Sequence, residues 1–338
     1  MPDDVREDSL ALPLLDTFGR RHDYLRLSIT DRCNLRCTYC MPERPVWFER
    51  PEILSFEEIV RFTRVAISLG VTKVRVTGGE PLVRRDVVAL VEQLGKLEGL
   101  EDLSLTTNGI LLASLAEPLY KAGLRRVNVS LDSLHHDRFE KLTRRDELDA
   151  VLAGIEAAAA AGFRPVKINV VMMKDVNVDE ALAFAEMTRA RPFHVRFLEY
   201  MPLDGQDLWR KEDVVTGAEV MAAIGRAGRL VPVTSEDPSE VARRWRFEDG
   251  AGEIGFINPV SEPFCSTCSR VRLTSDGMIK NCLLGNDEWS VKRLMRAGGS
   301  DEDVADLIRL AVTMKAEHHG INKPGFERIE RNMSRVGG

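Results

Sequence analysis

Six short runs, near residues 24–30, 73–77, 102–107, 126–132, 165–172 and 194–200, alternate apolar and polar residues. Helical stretches fill the gaps near 55–69, 86–96, 111–122, 136–161 (as one helix or two) and 179–190. Strand side chains point to opposite faces with period two, so each run carries two surfaces. Leu25, Leu27 and Ile29 oppose Arg26, Ser28 and Thr30, while Val74 and Val76 oppose Lys73, Arg75 and Thr77. Leu103 and Leu105 oppose Ser104, Thr106 and Asn108; Val127, Val129 and Leu131 oppose Asn128, Ser130 and Asp132; Val166 and Ile168 oppose Lys167 and Asn169. Strands alternating with helices imply βαβ units and a parallel sheet. Parallel strands covered by helices on both faces would read almost continuously apolar, and a closed eight-stranded barrel fills its interior with branched apolar side chains. These runs do neither. They predict an α/β fold in which one face takes a helical coat and the other encloses a wet cavity, a partial (β/α)6 barrel of TIM type. The alternative is a half-solvated sheet with its polar face exposed.

After Pro202 the rhythm stops. Residues 203–240 are polar and mixed, with a helical stretch near 217–228, then short β runs at 243–248 and 253–258 and helical stretches near 288–297 and 301–317. The expected division is an N-terminal arm over 1–23, a barrel over 24–202 and a C-terminal α+β extension over 203–338. A chain of 338 residues with 44% hydrophobic and 30% charged content can bury a substantial core. Its net charge of −6 gives no global attraction to nucleic acid. No apolar run reaches membrane-spanning length and the acidic N-terminus lacks signal-peptide features, so no membrane partner is expected.

The six cysteines fall into two tight sets, which suits a reducing cytoplasm. Cys33, Cys37 and Cys40 follow the first β run as C-x3-C-x2-C. Soft thiolates suit zinc or iron–sulfur clusters, and structural zinc wants four protein ligands, whereas a four-iron cubane on three thiolates keeps one iron open. Three buried structural cysteines, or zinc completed by His22, are the alternatives. Cys265, Cys268 and Cys282 form the second set, and Asp276-Gly277 signals a hairpin that returns Cys282 toward the other two. Here the alternative is zinc with water or His318 or His319, which otherwise stand at a helix C-terminus. Thr77-Gly78-Gly79-Glu80-Pro81 ends the second run; its glycines permit close backbone approach, and its glutamate can accept from an ammonium. Arg26, Lys73, Arg75, Lys167, Arg196, Arg270 and Arg272 would repel one another unless a polyanion such as a triphosphate neutralised them. Pairing with Glu80, Asp132 and Glu199 is the other way to balance them.

The stretches CNLRCTYCMP, KVRVTGGEPLVRRD, LTTNG, LRRVNVSLDSL, VKINVV, VRFLEYM and FCSTCSRVRLTSDG, with the final Gly-Gly, resemble the GTP 3′,8-cyclases, MoaA-type radical S-adenosylmethionine (SAM) enzymes of molybdenum cofactor biosynthesis. The resemblance runs from about Tyr24 to the end and implies two [4Fe-4S] clusters, one on Cys33, Cys37 and Cys40 with SAM, the other on Cys265, Cys268 and Cys282. It implies SAM contacts at Tyr39, Gly79, Ser130 and Met201. GTP contacts are implied at Arg26, Arg75, Thr106 and Lys167 and along Arg270–Arg272. Catalytic parts are implied for Arg196 and for Gly337 and Gly338, in a tail that enters the active site with Arg26 and Arg196 as natural neighbours. The implied reaction removes the ribose 3′ hydrogen of GTP with a 5′-deoxyadenosyl radical and joins that carbon to guanine C8, giving 3′,8-cyclo-7,8-dihydroguanosine triphosphate. An electron donor, a downstream molybdopterin-pathway enzyme and a tendency to form homodimers accompany it. A peptide maturase with two clusters and a non-catalytic iron–sulfur protein are the alternatives; the first usually carries more cysteines, and the second leaves the Gly-Gly-Glu turn and the cationic face unexplained.

Overall fold

The computed structural model describes residues 13–203, 209–235 and 237–337. One sheet organises them. The barrel units run β1 (Tyr24–Ser28), α1 (Phe56–Ser68), β2 (Lys73–Thr77), α2 (Val87–Gly95), β3 (Asp102–Thr107), α3 (Leu112–Lys121) and β4 (Arg126–Ser130). They continue as α4 (His136–Thr143), α5 (Leu148–Ala161), β5 (Val166–Met172), α6 (Ala181–Ala190) and β6 (His194–Glu199). The stretch read as helical over 136–161 is thus two helices, with Arg144 turning through the left-handed region at φ 58°. The C-terminal third supplies α7 (Gly217–Ile224), β7 (Leu230–Val233), β8 (Arg243–Phe247), β9 (Glu253–Ile257), β10 (Arg270–Leu273), β11 (Met278–Lys280) and β12 (Trp289–Ser290). It closes with α8 (Val291–Arg296), α9 (Asp301–Thr313) and α10 (Met333–Val336).

The strand order is β12-β11-β10-β1-β2-β3-β4-β5-β6-β9-β8-β7. Strands β1 to β6 pair in parallel, as the βαβ rhythm predicts. The C-terminal strands extend this same sheet at both ends: β10 joins β1 and β9 joins β6, each in parallel. Antiparallel hairpins finish each edge. The segments 24–202 and 203–338 therefore share one sheet.

The helices bury the apolar face as the alternation requires. Ser55 caps α1 by accepting from the Glu58 amide at 3.2 Å, and Glu58 returns the bond in a capping box. From there Ile59, Phe62 and Ala66 repeat at helical spacing and are fully buried. They share one core with Leu25, Leu27, Val74 and Val76 of the sheet and with Leu90 of α2, Leu119 of α3, Val151 of α5 and Phe184 of α6. Each large buried side chain is worth about 1.5–3 kcal/mol. A second apolar cluster, including Tyr200, Leu203, Trp209, Val260, Leu284 and Ile329, packs with Tyr39, Met201 and Met333 near the ends of β6 and α10. No helix among the described residues is long and apolar enough to cross a membrane.

Candidate active site

The polar strand faces enclose a cavity of about 1100 Å³. A single-ligand pocket usually takes roughly 300–1,000 Å³, so this one has room for more than one small molecule. The exposed-sheet alternative fails, because Arg26, Arg75, Thr106, Ser130, Lys167 and Arg196 all line this space.

The first cysteine set lies on the loop leaving β1. The Gly-Gly turn after β2 is zipped onto that loop: Gly79 donates its amide to the Thr30 carbonyl at 2.7 Å, and Glu80 donates to Arg32 at 2.8 Å. A Cβ on Gly79 would stand 2.4 Å from the Asp31 carbonyl oxygen, so only glycine fits. Cys33, Cys37 and Cys40 all reach the cavity. Burial pushes the Cys33 thiol up to about 11, and burial with the neighbouring thiols raises Cys37 and Cys40 as well. A metal bound here would release protons on entry. The glutamate of the turn is held by the protein itself. Its carboxylate accepts from Leu82 N at 2.9 Å, Thr107 Oγ1 at 2.8 Å and Asn108 N at 2.6 Å and is absent from the cavity wall. Burial raises it to about 7 despite those bonds. Glu80 thus ties the turn to the end of β3.

Tyr39, Gly79, Ser130 and Met201 share the wall beside this set. Tyr39 donates its hydroxyl to Asp132 Oδ2 at 2.5 Å, and Asp132 Oδ1 accepts from Val171 N at 2.8 Å. Asp132, which alternation placed on the inner face without assigning it a ligand role, is thereby committed to Tyr39.

The cations converge through the register. Arg26 stands opposite Arg75 on one side and Arg272 on the other. Arg26 Nε is buried without a hydrogen-bond partner, and burial together with Arg272 and Arg75 holds its guanidinium well below the usual range. Lys167 is brought down to about 7 by burial and by Arg196, Arg126 and Arg75. Arg196 donates to Asn169 Oδ1 at 3.0 Å and Asn128 Oδ1 at 2.7 Å, neither of which neutralises it. The carboxylate-pairing alternative accounts for Lys73, which meets Asp237 at 2.8 Å and Asp23 at 3.7 Å. It does not account for the rest: Glu199 accepts from Val260 N, Ser261 N and Ser261 Oγ. Tyr24, Arg126 and His194 also line the cavity and were not singled out by sequence. Tyr24 and His194 sit at the starts of β1 and β6, where alternation was the only available signal; Arg126 additionally pairs with Asp102 at 2.8 Å.

Cys265, Cys268 and Cys282 meet the same cavity, with Arg270 and Arg272 beside them on β10. The hairpin turns at Gly277, φ 78°, and joins β10 to β11 as the Asp-Gly signal predicts. Burial alone would raise Cys268, but Arg270 and Lys315 carry it down to about 6. His22 is bound to Asp16 at 3.0 Å, and α9 ends at Thr313, so His318 and His319 lie on a loop instead of a helix end. His319 shares the cavity wall with the second set. Among the described residues no three His, Cys, Asp or Glu side chains group closely enough to hold a single ion, as zinc would require. Each set presents three thiols to one cavity wall.

Gly337 is buried but outside the cavity lining, and its neighbours are Arg272, Ser28 and Thr77 rather than Arg26 and Arg196. Gly338 lies outside the described residues.

The chain matches the Radical SAM superfamily over residues 27–188 and the Molybdenum Cofactor Synthesis C family over 193–321. It is 44% identical over 328 residues to a GTP 3′,8-cyclase of Mycobacterium sp. (strain KMS), covering 96% of this chain and 94% of the relative. The chain belongs to the GTP 3′,8-cyclase family. A second member, from Moorella thermoacetica, is 46% identical over 325 residues, covering 96% of this chain and 99% of the relative. Streptococcus suis SuiB bound to S-adenosylmethionine shares the fold, with a TM-score of 0.61 at 15% identity over 88% of this chain and 68% of that one. Membership of this cyclase family brings a [4Fe-4S] cluster and SAM.

Proposed function

We propose that the chain cyclises GTP to 3′,8-cyclo-7,8-dihydroguanosine 5′-triphosphate, an early step of molybdopterin synthesis. One observation carries the reading: two three-cysteine sets face a single cavity whose wall holds Arg26, Arg75, Lys167 and Arg196. Cys33, Cys37 and Cys40 would hold the first cluster, with SAM against Tyr39, Gly79, Ser130 and Met201. Bound there, that pair supplies radical-generating chemistry. Cys265, Cys268 and Cys282 would hold a second cluster facing the guanine base. Arg26, Arg75, Thr106 and Lys167, with Arg270 and Arg272, would bind GTP, their charges answering the triphosphate. Arg196 would orient the substrate from β6, and the tail glycines would close the site. The barrel over 24–202 would then supply the SAM site and part of the phosphate site, and the region 203–338 the base site with Arg270 and Arg272. Binding energy is spent here on orientation, since a reactive sugar must be held against its own base and away from water. An electron donor, a downstream pathway enzyme and a homodimer complete the reading.

The test is anaerobic incubation of reconstituted protein with SAM, dithionite and GTP, followed by assay of 5′-deoxyadenosine and the cyclised nucleotide. Both products are expected in step. Formation of 5′-deoxyadenosine with GTP left unchanged would overturn the assignment.

A further inference from the structure

Lys315, just past the end of α9, is 5% exposed, and among the described residues no carboxylate lies within ion-pair distance of its ammonium. Lys280, the other deeply buried lysine of this region, has Glu288 at 3.1 Å. A buried charge without a counterion is costly, and here two carbonyls are what it meets. Nζ donates to the Arg270 carbonyl at 2.8 Å and to the Asn281 carbonyl at 2.5 Å. Arg270 is two residues past Cys268 and Asn281 immediately precedes Cys282, so a single ammonium ties together the two limbs of the hairpin that carry thiols.

The segment bearing Lys315 is pinned from its other side. Arg20 donates to the carbonyls of Ala316 at 2.8 Å and Glu317 at 2.7 Å, and also to that of Cys265 at 2.9 Å. Asp16 holds Arg20 Nε at 2.5 Å. Two residues of the N-terminal arm therefore fix the backbone from which Lys315 reaches inward.

We propose that Lys315 is a positioning residue for the second cysteine set: it holds the three thiolates in one arrangement and supplies the fixed positive charge that favours the reduced state of the cluster they carry. This rests on the reading that Cys265, Cys268 and Cys282 hold an iron–sulfur cluster. A cubane on three thiolates adds negative charge on reduction, and a cation nearby in a low-dielectric site stabilises that charge. Arg270 also contributes, donating Nη2 to Cys268 Sγ at 3.4 Å. Both cations line the cavity, but Lys315 spends two of its three donors on backbone beside the thiols.

The experiment is a redox titration of the full-length reconstituted protein followed by electron paramagnetic resonance, with iron counted per chain. Wild type is compared with Lys315→Arg, Lys315→Gln and Lys315→Met, each also in a Cys37→Ala background that isolates the second signal. Lys315→Gln keeps a donor without charge; Lys315→Arg keeps both. The midpoint of the second signal is expected to move to more negative potential in Gln and Met but to stay near wild type in Arg. The first signal should not move, and Met alone should load less iron at the second site. Unchanged midpoints and iron in Gln and Met would overturn the proposal, as would an Arg variant shifted as far as Met. A wild-type protein with iron for the first set alone would overturn the two-cluster reading and this inference together; two clusters with an indifferent Lys315 would overturn the inference only. Should Met fail to fold by circular dichroism, the Gln and Arg comparison decides.

Discussion

Arg272 donates from Nη1 to the carbonyl oxygen of Gly337 at 2.6 Å, joining the strand beside the second cysteine set to the end of the chain. The same tail reaches the first set, because Met333 donates its amide to the Cys40 carbonyl at 3.2 Å. Gly337 has φ 84°, and a Cβ there would stand 2.8 Å from Ser28 Cβ. Gly337→Ala should therefore add backbone strain of order 1–3 kcal/mol and displace the tail from Arg272. The expected result is strongly reduced cyclisation with iron content and GTP affinity retained. Deleting Gly337 and Gly338 should do the same; wild-type turnover by the truncated chain would refute an active tail.

The two cysteine sets occupy different loops, so their losses should separate. Cys37→Ala should abolish SAM cleavage while leaving iron at Cys265, Cys268 and Cys282. Cys268→Ala should still release some 5′-deoxyadenosine but no cyclised nucleotide. Iron analysis and product assay on both variants check this, and loss of all iron from either one would count against independent sites.

Arg75 is 8% exposed, makes one side-chain bond, to Ser104 at 3.3 Å, and has no carboxylate partner among the described residues. Each charged hydrogen bond to phosphate is worth about 1.5–3 kcal/mol, so Arg75→Ala or Lys167→Ala should weaken GTP by roughly tenfold or more, with SAM affinity little changed. Equal losses for both ligands would point to a collapsed barrel.

Lys167 adds a pH signature. Its ammonium, held down to about 7, gains a counterion when triphosphate arrives, so its affinity for the proton rises on binding. GTP binding at and above pH 7 should take up a proton and should tighten as pH falls through 7. Calorimetry in buffers of differing ionisation enthalpy measures the uptake, which Lys167→Met should abolish. Identical uptake in that variant would assign the proton elsewhere.

The N-terminal arm carries an acid-sensitive contact. With ionised Asp16 accepting at His22 Nε2, the other ring nitrogen, Nδ1, is buried without a partner. Burial and the nearby Lys315 bring His22 down to about 4; Asp16, though raised by burial, is carried to about 2 by its bonds to His22 and Arg20. A histidine depressed in the folded state makes the unfolded state the stronger proton binder, so its contribution falls as pH drops from about 6.5 through 4. Relative to His22→Gln, the wild-type chain should lose stability over that window. Denaturant titrations at pH 7 and pH 5 measure the difference, and a difference that does not change with pH would exclude His22 as its source.

Much of the site was legible because β periodicity is local. Alternation alone put Arg26, Arg75, Thr106, Ser130 and Lys167 on one face, and closely spaced cysteines mark their own loops. What alternation leaves open is how a side chain spends its bonds. Glu80 sits at a motif position and satisfies the backbone, while Lys73 shares the inner face and pairs with Asp237 across 164 residues. Lys315 has no motif at all: its role comes from two carbonyls supplied by β10 and the end of the hairpin.

The sequence by itself determined the βα order, the inner and outer faces of each strand and the two thiolate loops, because those follow from side-chain period and short spacing. Tertiary structure decided that β9 and β10 extend opposite edges of one sheet, which brings cysteines more than two hundred residues apart to one cavity. It also decided that Gly337 meets Arg272, and that Arg20 reaches the loop after α9. Such pairings depend on long-range register and on which buried polar groups remain to be satisfied, and both are settled only when the whole sheet has closed around its interior.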